Sequence, residues 1–330
     1  MSTPMDSDVL NYRGDLFAYG ANAAPFLASI ASKTKRTSVW TFPIANNFTP
    51  GTGGQNTVSE DTAKSDAAAT TVTLAQTTNV CQIQWYHVES TFKKESLGGS
   101  FSGVNADGLG ASQNNIVLQK RIGLMKLAKD MEYSMLLGSY TAESSSATNT
   151  TMRGIKNAIS TNTVAAGGKQ LEKTMLEELV REMVASGAPF MDPVVVCGSY
   201  QLQRLSDIYG YAPPDRGMGG VYIKDFMVPG AGGSGILTAL FSPQMDQQPD
   251  QVYVVERSVC SPVFCPVPPA IAGITLGQKM VSNSMSGLDV AYVEKPQSGA
   301  VFGGFLYMQP SFDYGPEMYH GSITGLAYTA

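Results

Sequence analysis

The sequence predicts a mixed α+β protein with its helices clustered centrally, and three observations carry that expectation. Residues 114–138 spell one long amphipathic helix. Strand-like text on both sides of a Gly/Pro/Asn-rich stretch spans 37–92. Residues 219–328 read mainly as strands and turns.

Taken in order, residues 1–36 show weak periodicity and many small side chains, which predicts an arm and not a packed element. SVWTFPI (38–44) is strand-like, and NNFTPGTGGQN (46–56) has the composition of a loop. Alternating, β-branched text returns at TTVTLAQ (70–76) and VCQIQWYHVESTF (80–92). Together these predict a long hairpin excursion. Strands of about 12 residues would carry it roughly 40 Å from its root. A hairpin of that length is not stable alone in water, so a neighbouring subunit is expected beneath it.

In the helix NNIVLQKRIGLMKLAKDMEYSMLLG (114–138), Val117, Leu124, Ala128, Met131 and Met135 form one apolar stripe. Lys120, Arg121, Lys126 and Lys129 lie on or beside the opposite side, and Gly138 is the expected C′ stop. At 1.5 Å per residue the rod would be about 37 Å long. SYTAESSSATNTTM (139–152) reads as a polar loop. A second helix over 174–187 opens on a Thr174/Glu177 capping box and closes at Gly187. Its expected buried face is Met175, Leu176, Leu179, Val180, Met183 and Val184. A buried strand, DPVVVCG (192–198), and a helix from Ser199 follow.

Composition narrows the function. Charged residues make up 15% of the chain, against about 25% in a typical soluble domain. The hydrophobic fraction of 43% is near the globular norm, so disorder does not explain the deficit. No stretch is long and apolar enough to span a membrane. A surface this poor in charge is expected to be covered by protein, which makes extended self-assembly the first hypothesis. The net charge of −5 argues against a dedicated nucleic-acid reader. Cys81, Cys197, Cys260 and Cys265 lie far apart and read as reduced, buried thiols. The first 40 residues lack a basic start followed by an apolar block, so no targeting peptide is expected.

Several motifs match by letter only. Gly230-Ala-Gly232-Gly233-Ser-Gly235 is a literal GxGxxG, but Pro229 precedes it and β-branched text from Ile236 follows, so a hairpin turn is expected. Arg13-Gly14-Asp15 reads as a charged turn, and the sequons at Asn47 and Asn149 have no role without secretion. His87 and His320 are the only imidazoles, with no CxxC or HExxH, and Cys260-x4-Cys265 fits no common zinc knuckle. Cys197 lacks an identifiable base, and the Glu177-Glu178 pair is ordinary on a solvated helix face. The expected catalytic, cofactor-binding and metal residues are therefore none.

In order and spacing, a series of segments resembles the major capsid protein of tailed bacteriophages, which has the Hong Kong 97-like shell fold. The series runs from NAAPFLASIASKTKRTSVWTF (22–42) through IGLMKLAKDMEYSMLLG (122–138) to LEELVREMVASGAPFMDPVVVCGSYQLQRLSDIYG (176–210). VYIKDF (221–226), VYVVERSVCSPVF (252–264) and EMYHGSITGL (317–326) complete it. The resemblance makes Ala24-Pro25-Phe26 the arm turn, Arg121 to Gly138 the spine helix, and Val194–Tyr209 the core strand and helix of an axial α/β domain. It implies an N-terminal arm (1–36), an extended loop or E-loop (37–92), a peripheral domain (93–145 and 265–318) and an axial domain (146–264 and 319–330). The glycine-rich 229–235 insertion departs from the family pattern, and no long amino-terminal scaffolding extension is evident.

The function implied is a non-enzymatic structural protein of the virion, assembled in the host cytoplasm. Copies would form hexameric and pentameric capsomers of an icosahedral head around double-stranded DNA. Head-to-tail contacts close into such rings. Loop 37–92 would lie over the adjacent subunit and arm 1–36 would strap another. Implied partners are the chain itself, a portal protein, a scaffold, decoration proteins, and packaged DNA through weak non-specific contact. No membrane and no cofactor is implied. The alternatives are an encapsulin-like cellular shell and a nucleotide-binding α/β enzyme built on 192–240.

Overall fold

The computed structural model describes residues 11–44, 47–48, 58–64, 74–93, 115–209, 225–228, 236–267, 287–295 and 299–328. Two short helices, α1 (Arg13–Gly20) and α2 (Pro25–Ile30), lead into strand β1 (Lys35–Arg36). The hairpin goes out through β2 (Thr41–Pro43) and β3 (Asn47–Phe48), includes a helical turn α3 (Glu60–Ala63), and returns through β4 (Leu74–Ala75) and β5 (Thr78–Val80). Strand β6 (Gln84–Thr91) precedes the long helix α4 (Asn115–Leu137). Next come α5 (Ile155–Ala158), β7 (Thr163–Ala165), α6 (Lys173–Ala185), β8 (Pro193–Cys197) and α7 (Ser199–Tyr209). Strands β9 (Asp225–Met227), β10 (Ile236–Phe241), β11 (Val252–Glu256) and β12 (Ser261–Phe264) follow. The chain closes with β13 (Val290–Glu294), β14 (Val301–Met308), β15 (Pro310–Asp313) and β16 (Gly321–Thr324).

A six-stranded sheet in the order β7-β16-β11-β8-β10-β9 divides two cores. Side chains alternate across a strand. Val194 and Val196 of β8 therefore join the core around α4, while Val195 and Cys197 join the core under α6 and α7. In β11, Tyr253 and Val255 take the first core and Val252 and Val254 the second. Burial on both faces is why VVVC and VYVV carry no polar alternation.

The long helix is 23 residues, about 34 Å. Leu124, Ala128, Met131 and Met135 of the expected stripe are buried, but Val117 is 56% exposed and Ile116 is buried in its place. A straight helix drifts about 20° per heptad, so a residue two heptads before Met131 has rotated off the stripe. The helix ends at Gly138, which does not adopt the left-handed conformation expected of a C′ stop. A Cβ at Gly138 would lie 2.2 Å from the Ser134 carbonyl oxygen and 2.8 Å from that of Met152. The glycine is there for close approach.

Helix α6 ends as expected. Gly187 has φ 85°, its N–H donates to Val184 O, and the Ala188 N–H donates to Met183 O, the paired bonds of a Schellman stop. The capping box does not form. The helix begins one residue early, at Lys173, so Thr174 is already helical and its hydroxyl donates to Glu172 (3.4 Å). Glu177 instead lies 3.5 Å from Lys173. Val184, expected inside, is exposed.

The hairpin ladder is present at β2–β5 and β3–β4, both antiparallel. Strand β6, expected as part of its return, instead pairs along its whole length with β14. With β13 it makes a three-stranded antiparallel sheet whose Tyr86–Val88 face packs toward α4. The expectation of an unpacked arm also fails over 11–36. Leu16 of α1 and Phe26, Leu27 and Ile30 of α2 are buried against α4, and β1 pairs in parallel with β12. Helices of 8 and 6 residues are too short to show a period in sequence. Residues 1–10, most of the 46–56 loop and the Gly230–Gly235 turn lie outside the described residues.

We expect Gly187→Ala to destabilise the chain by about 1 kcal/mol through its positive φ. Gly138→Ala should cost more, because two carbonyl oxygens must move to admit the methyl group. Denaturant unfolding of both variants checks the order.

Candidate assembly surface

Two buried carboxylates hold the amino-terminal segment onto the body. Glu132, fully buried on α4, accepts the Leu27 N–H (3.0 Å) through Oε2 and the Ser242 hydroxyl through Oε1 (2.5 Å). Leu27 is the third residue of α2, so Glu132 supplies the cap that Ala24 cannot. Burial raises the Glu132 carboxyl to about 7, opposed by the hydrogen bonds from Ser242, Leu27 and Phe26. Asp289, also buried, accepts from Arg13 Nη1 (2.7 Å), Arg36 Nη2 (2.9 Å) and Asn11 Nδ2 (3.2 Å). Arg36 Nε lies 2.8 Å from its other oxygen.

The Arg13-Gly14-Asp15 tripeptide therefore opens α1 and sends its arginine to Asp289. Lys120, placed beside the solvent face by the sequence, sits 3.4 Å over the Tyr292 ring, and burial lowers its pKa. Arg121 stacks over Tyr19 at 4.9 Å. Lys126 pairs with Asp130 across one helical turn.

His320 is buried, with Nδ1 accepting the Glu256 N–H (3.1 Å) and Nε2 facing the Tyr314 carbonyl (2.6 Å). Those bonds fix the neutral tautomer, and burial lowers its pKa. His87 lies at the rim of the β6–β14 sheet, 2.9 Å from Lys295 Nζ. Burial pushes the Cys197 thiol up to about 12 and the Cys260 thiol upward as well. Among the described residues no three His, Cys, Asp or Glu side chains group to hold a metal ion. No described helix is long and apolar enough to cross a membrane. The strands flanking 229–235 pair antiparallel, Met227 opposite Ile236. A strand therefore stands where a dinucleotide fingerprint needs a helix.

The outer face of the β6–β14 sheet carries aromatic side chains. Trp85, 62% exposed, stands opposite Tyr307 and packs edge-on to Phe305 at 6.2 Å, and Phe305 meets Tyr307 at 6.3 Å. A cleft of about 410 Å³ beside Trp85 is lined by Ile83, Leu127, Asp130, Tyr133 and Thr151 among others. Ile122, Met125 and Tyr133 are also exposed on α4, and Tyr133 lines the cleft. None of these residues is among those expected from the sequence to carry function. Their signal was available in apolar residues on the outward positions of an amphipathic helix and an amphipathic strand.

An antiparallel hairpin, a long helix under a small sheet, and a central sheet packed on both faces define the class of fold. The fold is similar to the capsid of cyanophage A-1(L), with TM-score 0.57 at 10% identity, covering 99% of this chain and 96% of that one. It is similar to the capsid of a native GTA particle, with TM-score 0.56 at 13% identity and coverage of 99% and 96%. The SrpI encapsulin of Synechococcus elongatus has TM-score 0.52 at 9% identity, covering 100% of this chain and 92% of that one. At these identities the likeness is one of fold. No curated protein matches the chain by sequence. The family model of the SU10 major capsid protein matches residues 2–327, and the chain belongs to that family of capsid-forming proteins. The Hong Kong 97-like fold and the phage-capsid resemblance are thereby borne out.

Raised to about 7 from 4.5, the Glu132 carboxyl contributes stability that is full below pH 4.5 and is lost as pH rises through 7. Glu132→Gln keeps the shape and cannot ionise. Its stability relative to wild type should rise by about 3 kcal/mol between pH 4 and pH 8, read as the difference between paired denaturation curves.

Proposed function

We propose that this chain forms hexameric and pentameric capsomers that close into the icosahedral head of a tailed phage around double-stranded DNA. The reading rests on membership of the SU10 major capsid protein family. One structural observation supports it most: a charge-poor subunit exposes Ile83, Trp85 and Tyr133 around one cleft. An apolar strip of that kind marks an interaction site, and here the partner is a second copy, whose hairpin crosses it. The contact is heterologous, so copies arranged head to tail close into rings.

The finer assignments extend the same reading. Residues 93–145 with 265–318 serve as the peripheral domain, and 146–264 with 319–330 as the axial domain. The role is structural and non-enzymatic, with no catalytic, cofactor-binding or metal residues. Portal, scaffold and decoration proteins are the proposed partners beyond the chain itself, with packaged DNA held weakly. Assembly takes place in the host cytoplasm and the product is the virion shell. The net charge of −5 suits a container whose DNA must move, and any DNA contact is salt-sensitive. The encapsulin likeness favours a second reading, a cellular shell, which particles containing protein cargo and no nucleic acid would support.

Trp85→Glu places a charge on the exposed strip without entering either core. The variant should fold with wild-type circular dichroism yet lose shells in negative-stain images. Replacing residues 49–73 by an Asn-Gly turn, which can keep both paired rungs of the hairpin, should likewise weaken assembly and spare the core. Normal, equally stable shells from either variant would contradict the proposed contact.

A further inference from the structure

We propose that the free edge of β6 is a strand-addition site, where an outer strand of a second copy's β3–β4 ladder pairs main chain to main chain with Ile83, Trp85 and His87. The pairing rests on the assembly role proposed above and specifies how that contact is made. In an antiparallel ladder every second residue exchanges its N–H and C=O with the partner strand, and the residues between turn theirs outward. The parity of β6 is fixed at both ends. The Gln82 N–H donates to Pro310 O and the Phe92 N–H donates to Ala300 O, so even-numbered residues face β14. Odd-numbered residues face away from it. Glu89 shows this directly: its N–H donates to Gln119 Oε1 (3.2 Å) and its carbonyl accepts from Gln119 Nε2 (2.9 Å).

Gln119 thus stands in for one residue of a missing strand, and it covers only the Glu89 end. Among the described residues nothing bonds to the outward main chain of Ile83, Trp85 or His87. The cleft of about 410 Å³ opens along this stretch, lined by residues 82–85 and by Asp130, Tyr133 and Ser134 of α4. A groove between a strand edge and a helix is a shape that takes an extended chain. Gln84, which also lines it, is 7% exposed, and its buried Oε1 has no hydrogen-bond partner. A buried acceptor left unpaired is costly, and a strand in the cleft supplies donors.

The occupant follows from which edges the chain closes itself. At β13, the other edge of the same sheet, the Tyr12 N–H donates to Val290 O and the Val290 N–H donates to Asn11 Oδ1 (3.3 Å). At β6 the edge stays open, and the exposed side chains of Ile83 and Trp85 are apolar where charges usually guard an edge. The β3–β4 ladder has the complementary lack. It is a sheet of two strands with no third strand on either side, and such a pair is marginal in water. Joined edge to edge, ladder and β6 sheet become one continuous sheet. A chain of a capsid-forming family meets many copies of itself. Each copy carries one donor ladder and one acceptor edge, so the pairing is heterologous and repeats from copy to copy.

Amide hydrogen exchange, read residue by residue in assembled particles and in dissociated subunits of the full chain, tests the pairing. In dissociated subunits the Trp85 and His87 amides should exchange fast, while those of Tyr86 and Val88 in the ladder are slow. In particles Trp85 and His87 should slow at least about tenfold, together with a residue of Asn47–Phe48 or Leu74–Ala75. Unchanged rates at Trp85 and His87 would overturn the inference. So would protection there with none in the hairpin, the mark of another occupant, or protection already present in dissociated subunits. His87→Pro deletes one outward N–H and leaves the bonds to β14 in place. It should keep wild-type circular dichroism and lose shells, and His87→Ala, which restores the N–H without the imidazole, should recover them. Shells from the proline variant, or none from the alanine variant, would contradict main-chain pairing. Shells lost in Trp85→Glu but kept in His87→Pro would remove strand addition alone and leave the capsomer contact standing. The exchange pattern decides even where the proline variant fails to fold.

Discussion

Glu132 is the point at which three separate lengths of chain are tied together. One oxygen caps the amino-terminal helix α2, the other takes the Ser242 hydroxyl beside the six-stranded sheet, and the residue itself belongs to the long helix. A carboxylate in an apolar core is unfavourable unless its hydrogen-bonding capacity is met. The arrangement therefore holds α2 and the Ser242 turn in one relation to the helix. Asp289 does the same for α1 and β1 through two arginines. With the amino-terminal segment fastened inward at both ends, the hairpin between β2 and β5 starts from a fixed root.

That rigidity bears on assembly. A shell subunit must present one surface in one orientation to several copies of itself, and a projecting element is useful only if its base does not swing. The six-stranded sheet supplies the second constraint. Because β8 and β11 are packed on both faces, the two cores share a wall and cannot slide independently. The outward strip of Ile83, Trp85, Phe305 and Tyr307 sits on the sheet that backs the long helix, so apolar surface and rigid support coincide.

Much of this was legible in the residues. The long helix, α6 with its Gly187 stop, the buried strand β8 and the helix from Ser199 all follow from period and composition. Features set by partners distant in sequence were not. The buried arm helices are too short to show a period, and β6 alternates equally well whether it pairs with β5 or β14. Only the tertiary fold places Met308 opposite Gln84. Glu132 left a trace, a carboxylate beside Met131 and one turn from Ala128 and Met135, but its partners Leu27 and Ser242 lie more than 100 residues away.

If copies of the subunit pack on one another through the Trp85 strip, electron cryomicroscopy of assembled particles should show it. Hairpin density from an adjacent subunit should cover Ile83, Trp85 and Tyr133, with those side chains excluded from solvent. Particles in which that cleft stands open to solvent, or a chain that remains monomeric at high concentration, would contradict it.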